Sequence, residues 1–202
     1  MQNILLIYLV SAFIPFLFPR QLKKVIPFLL AFVHLGAFIY FLSKIKWVAN
    51  GNIINETIVW VPQMGINIEL ILSGLSLAFA LLITGTGVLV FLYAHAYMKS
   101  YKNLSVFYFY LFLFSAAMLG LVLSGNLIQL FVGWELTSFL SFLLISFFHE
   151  KEKARNAAFQ SLFITGFGGL VMLAGIVLLG SIVGSYSISE WVAQADLLKA
   201  HK

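Results

Sequence analysis

Cysteine is missing from all 202 residues, which excludes disulfides, thiolate nucleophiles and Cys-ligated metals or clusters. Charge is scarce as well: Asp, Glu, Lys and Arg make up 9% of the chain, against 62% hydrophobic residues. Soluble domains carry about 25% charged residues, so this composition is that of an integral membrane protein. The four histidines are scattered without a short-range pair, so the sequence points to no metal site and no cofactor. A net charge of +5 would suit nucleic acid, but the basic residues sit in short loops between apolar runs, where they set orientation, and nucleic acid is discounted. The first apolar run lacks a basic leader and a small-residue cleavage site and is followed by further runs, so it reads as a retained helix.

What is present is a series of apolar runs of membrane-spanning length. The expected fold is an all-α integral membrane protein, a polytopic bundle of about six transmembrane helices. The spans lie near 3–18, 25–43, 70–94, 104–123, 127–148 and 157–183. Pro15 and Pro19 stop or bend the first span, and Pro27 sits in the first turn of the second, where a missing N–H costs little. Between the second and third spans, Thr57 to Val61 and Gly65 to Glu69 flank Pro62-Gln63-Met64 and predict a short surface β-hairpin. Thr84-Gly-Thr-Gly87 supplies small residues for close helix packing, and Thr165 with the six glycines between it and position 184 thins the faces of the last span. Loops after the first, third and fifth spans carry three, two and three Lys or Arg, against two, none and two on the opposite side. The bias predicts an N-terminus outside the cell. Residues 1–186 are read as one membrane unit and 187–202 as an extramembrane amphipathic tail, with the chain truncated before a seventh helix.

One residue breaks the apolar pattern. Glu135 lies eight residues after Leu127, about 12 Å along a helix axis and well inside a hydrocarbon core roughly 30 Å thick. A Glu side chain is too short to reach the interface, and an ionised group at that depth costs a few kcal/mol. The acid must therefore face protein or water, and either move protons or sit protonated in a helix contact. Projected at about 100° per residue, Ser138, Ser146 and His149 share its face, which predicts a polar stripe from mid-membrane to the basic loop. Gly133 and Trp134 offer a close-approach point beside it. His34, near the middle of the second span, is either a buried His bonded to a neighbouring helix or a further proton relay. The other acids, Glu56, Glu69, Glu150, Glu152, Glu190 and Asp196, fall in loops or at span ends and read as solvated surface charge.

With these residues in hand, the stretch Val122 to Ile145, VLSGNLIQLFVGWELTSFLSFLLI, resembles the proton-conducting antiporter-like subunits shared by complex I, membrane-bound hydrogenases and Mrp multisubunit Na+/H+ antiporters. Glu135-Leu-Thr-Ser138, His149-Glu-Lys and Leu162-FITGFGGLVMLA-Gly175 look most like the N-terminal part of the A-type subunit of Mrp antiporters. Complex I counterparts usually place an Arg and an Asp where this chain has Gly166 and Gly169. The resemblance implies that Glu135 pairs with a Lys on a broken seventh helix, absent here, and that protons and Na+ are moved. It implies other membrane subunits as partners, a lipid bilayer as surroundings, and the bacterial inner membrane as location. Two alternatives stay open: a proton-pumping subunit of a complex I-like NADH-quinone oxidoreductase or hydrogenase, and a non-transporting scaffold or assembly fragment. The family often has Asp where this chain has Ser73 and Gly125, which reads as the loss of two surface-facing acids.

Overall fold

The computed structural model describes residues 1–18, 24–61, 66–101 and 103–194. The first apolar run forms α1 (Gln2–Ser11) and α2 (Ile14–Leu17), broken just before Pro15, whose ring nitrogen has no hydrogen to give the carbonyl one turn back. Together they cover about 24 Å, at 1.5 Å per residue. There follow α3 (Ile26–Ala49), strands β1 (Ile54–Val61) and β2 (Ile66–Leu72), α4 (Gly74–Tyr97), α5 (Leu104–Val122), α6 (Leu127–Ile145), α7 (Glu152–Val183) and a short α8 (Ile188–Ala193). Among the described residues, α3 to α7 are the five helices long and apolar enough to cross a membrane, with the α1–α2 segment the shorter sixth run. The all-α membrane bundle with one surface hairpin is the expected fold.

The boundaries depart from expectation in three places. Leu70 to Leu72 belong to β2, not to the third span, because Leu70 and Leu72 are buried as strand residues and a short apolar run does not by itself distinguish strand from helix. The helix starts at Ser73, which caps it reciprocally with Ser76. α3 runs six residues past Ser43, and α7 begins at Glu152, five residues early, because a helix need not stop where the hydrocarbon does and a first-turn acid favours its start. The Pro62-Gln63-Met64 turn, Pro19, Arg20, Lys23, Lys102 and residues 195–202 of the tail lie outside the described residues.

The helices pack in two connected groups. α3 and α4 lie side by side against α1 and α5, where Tyr8, Leu30, Phe41, Phe91, Phe112 and Leu119 are fully buried. Close approach of α3 and α4 uses the Thr84–Gly87 segment, with Gly85 against Phe38 and Gly87 against His34. α6 packs between α5 and α7. Large apolar side chains point outward along the long helices, Leu75, Phe163 and Phe167 among them, as lipid-facing surfaces do.

One end of the bundle is closed by a small hydrogen-bonded layer. β1 and β2 pair antiparallel, Thr57 opposite Glu69. The turn between α5 and α6 then lies along β2: Ile71 N–H donates to Leu123 O at 2.7 Å and Gly125 N–H to Glu69 O at 2.8 Å. Its other edge takes the segment before α8, with Leu127 N–H donating to Tyr186 O and Ile188 N–H to Gly125 O, both at 2.8 Å. Side chains fasten the layer. Ser187 Oγ donates to Glu69 Oε2 at 2.9 Å, Glu69 N–H donates to Gln129 Oε1 at 2.9 Å, and the Met1 ammonium donates to Glu56 Oε1 at 2.7 Å. Glu56 and Glu69, expected as solvated charges, are thus structural partners of this layer. Gly125 is buried in it: a Cβ there would come within 2.7 Å of Ile71 and 3.0 Å of the Glu69 Cβ. The position does not face outward as the surface-acid reading held, because β2 covers the turn.

Candidate functional site

α6 starts at Asn126, whose Oδ1 accepts from Ile128 N–H at 2.9 Å and Gln129 N–H at 3.4 Å. Two turns further on, the helix presents Glu135 to α7. The residue is half-buried, and its Oε1 is completely buried without a hydrogen-bond partner. Facing it is Gly169, and a Cβ built on that glycine would overlap Oε1. Among the described residues the single ion pair joins Met1 and Glu56, so Glu135 has no basic partner there. A buried carboxylate oxygen without a donor is costly when ionised. An incoming donor or cationic group would give that oxygen the partner it lacks.

The predicted companions separate. Ser138 is half-buried on α6, one turn beyond Glu135. Ser146 begins a 3-10 turn, Ser146–Phe148, and its Oγ donates to Leu143 O at 3.2 Å. His149 follows that turn and is exposed. Ser146 and His149 line a cavity of about 520 Å³ at the end of the bundle opposite the hairpin, together with Tyr101, Asn103, Tyr110 and Lys151. Glu135 and Ser138 are not in its lining.

His34 stands elsewhere. It is fully buried, and its nearest rings are Tyr8, Phe91 and Phe112, at 4.9–5.0 Å between centroids. Nδ1 donates to Leu30 O at 3.0 Å, on its own helix one turn back, where a bond to a neighbouring helix was expected. The rings of Tyr8, Phe91 and Phe112 pack around the imidazole, and the acceptor it finds is a backbone carbonyl one turn earlier. Nε2, next to Gly87, has no partner, nor has the buried Tyr8 hydroxyl. The structure does not bring His34 to the α6–α7 contact.

The sequence names Gly133 as a close-approach point, which the structure uses for α5, and misses Gly169. Gly133 makes room for α5, since a Cβ there would meet the Leu121 backbone and Cβ at 3.2 Å. Trp134 is exposed. The space for the carboxylate comes from Gly169 on α7, one of several small residues on that helix whose phase only packing reveals. Among the described residues no group of His, Asp and Glu is arranged to hold a metal ion.

These features define a class, a polytopic helical membrane protein holding an ionisable carboxylate between two of its helices. Comparisons with known proteins narrow it. Residues 124–201 match the family model "NADH:quinone oxidoreductase/Mrp antiporter, TM", and residues 60–108 match "NADH-Ubiquinone oxidoreductase (complex I), chain 5 N-terminus". The chain is 46% identical over 190 residues to the Na(+)/H(+) antiporter A1 subunit of Staphylococcus haemolyticus, in a match that covers 88% of this chain and 24% of that one. It is 39% identical over 197 residues to the A/B subunit of a probable K(+)/H(+) antiporter of Rhizobium meliloti, covering 98% of this chain and 20% of the relative. Its fold matches a chain in the structure of the Mrp complex from Dietzia sp. DQ12-45-1b with a TM-score of 0.82 and 29% identity, over 93% of this chain and 20% of that one. The chain belongs to the antiporter-like membrane subunit family of NADH:quinone oxidoreductases and Mrp antiporters. It is a multi-pass protein of the plasma membrane, and it spans no more than about a quarter of the length of these relatives.

Proposed function

We propose that this chain is the N-terminal portion of a multisubunit Na+/H+ antiporter subunit, and that Glu135 is the group through which protons pass. The observation that carries the reading is the Glu135 Oε1 itself, buried between α6 and α7 and left without a partner. On this reading residues 1–186 are part of the proton-conducting membrane unit and residues 187–202 an extramembrane tail. The role is that of a transporter component, not of a catalyst, as the antiporter naming of its relatives supports.

The physical mechanism needs a mobile cation, which the described residues do not place beside Glu135. A nearby ammonium favours the ionised form of a buried carboxylate, and its withdrawal favours the protonated form. A Lys on a later helix of the complete subunit, swinging toward and away from Glu135, would load and unload the proton. Ser138 and, at the cavity, Ser146 and His149 would carry it between α6 and the cytoplasmic end, while His34 would serve a separate path through the α1, α3, α4 and α5 group. Other membrane subunits would supply the cation route. The relatives name both Na+ and K+, and Na+ is favoured here by the higher identity.

The test is Glu135→Ala in the complete assembly, with cation-driven proton exchange read in everted vesicles. Exchange is expected to be lost while the complex still assembles, and Glu135→Asp to retain part of it. Normal exchange by the Ala variant overturns the assignment. The family model also covers NADH:quinone oxidoreductases, which would use the same acid with redox energy. Neighbouring genes for several small membrane subunits argue for antiport, and genes for quinone-reactive or iron–sulfur subunits argue for redox.

A further inference from the structure

α7 and its C-terminal cap carry six glycines, Gly166, Gly168, Gly169, Gly175, Gly180 and Gly184, yet they do different things. Cβ atoms placed at Gly166, Gly168 or Gly175 would meet nothing within 4 Å. A Cβ at Gly180 would strike the ring of Tyr186, which belongs to the hairpin-side layer. At Gly169 alone the obstacle is the carboxylate of Glu135. What a side chain there would displace is the far end of a flexible side chain, not backbone, so the helices can keep their places while the acid cannot.

We propose that Gly169 is a positioning residue for Glu135: by having no side chain it fixes where the carboxylate rests between α6 and α7, and hence what can reach it. The inference rests on the proposed role of Glu135 and deepens it. Gly169 touches neither proton nor cation. It acts through the acid, because a methyl group in this slot turns the carboxylate toward lipid or toward the helix ends. Gly133, which admits the backbone of α5 at Leu121, sets the distance between α5 and α6 and has no such selective effect on the acid.

The experiment introduces Gly169→Ala, Gly166→Ala and Gly168→Ala singly into the complete assembly and measures proton exchange across a range of pH in everted vesicles, with complex content measured alongside. Gly169→Ala is expected to lower exchange several-fold and to displace its pH profile at unchanged complex content, while Gly166→Ala and Gly168→Ala keep the original profile. Adding Glu135→Asp to Gly169→Ala is expected to restore part of the exchange, since the shorter side chain withdraws the oxygens by about 1.5 Å, one carbon–carbon bond. If Gly169→Ala reduces assembly, recovery of assembly by the added Glu135→Asp supports the fit between the two residues, and failure to recover it overturns the proposal. A Gly169→Ala profile that coincides with the original, in an assembly that Glu135→Ala inactivates, overturns the positioning role and leaves the role of Glu135 standing. Full exchange by Glu135→Ala removes that role itself.

Discussion

At the scale of single residues, the opposition of Glu135 and Gly169 and the burial of Gly125 follow one rule: a missing side chain is used where another group needs its volume. For Gly125 the claimant is Ile71, at 2.7 Å from a would-be Cβ. Gly125→Ala is therefore expected to destabilise the complete subunit by about 1–3 kcal/mol, the usual cost of overpacking, read as a lower melting temperature in detergent. An unchanged melting temperature would show that the turn does not pack under β2. Glu135 was legible in the sequence because depth along a helix follows from counting residues. Gly169 was not. Glycines fall on several faces of α7, so the sequence contains no phase that would say which of them meets α6.

At the scale of elements, the polar stripe and the hairpin layer show where counting stops working. The 100° projection holds along α6 as far as Ile145, but the Ser146–Phe148 turn is a 3-10 turn, which advances about 120° per residue, and His149 comes out exposed beside a cavity that Glu135 does not line. The hairpin was readable from strand-like runs around a proline, whereas its docking was not, since a strand edge gives no sign of the loop that will cover it. Docking has a pH signature at the α1 end of the layer. The Glu56 carboxyl is held below its usual value of 4.5, first by the hydrogen bond from the Met1 ammonium and then by Gln2 N–H. A depressed folded-state value means the contact stabilises fully above pH 4.5 and fades as pH falls through the lower folded value. Glu56 is partly exposed, so the contribution is at most about 1 kcal/mol. The stability difference between the native protein and Glu56→Gln should be constant from neutral pH down to about 4.5 and shrink below it. A difference that does not change with pH would assign the loss to packing instead.

At the scale of the whole molecule, the described ends sort as alternate crossings require. Met1, the hairpin, the α5–α6 turn and the segment before α8 meet in one layer, while Tyr101 and Phe148 meet at the opposite end with rings 5.0 Å apart. Which layer faces the cytoplasm was inferred from Lys and Arg alone, because the positive-inside bias is a property of loops and not of helix packing. A chain without cysteine allows a direct check. Lys151→Cys should react with a membrane-impermeant thiol reagent only in everted vesicles, and Asn52→Cys only in intact cells, and the reverse pattern would invert the topology. The central claim, that Glu135 gains and loses a proton inside the membrane, is tested most directly by infrared difference spectroscopy of the complete assembly across a pH jump. A carboxylic acid C=O band that comes and goes with pH and is absent in Glu135→Gln is the predicted result, and a spectrum that Glu135→Gln leaves unchanged would contradict it.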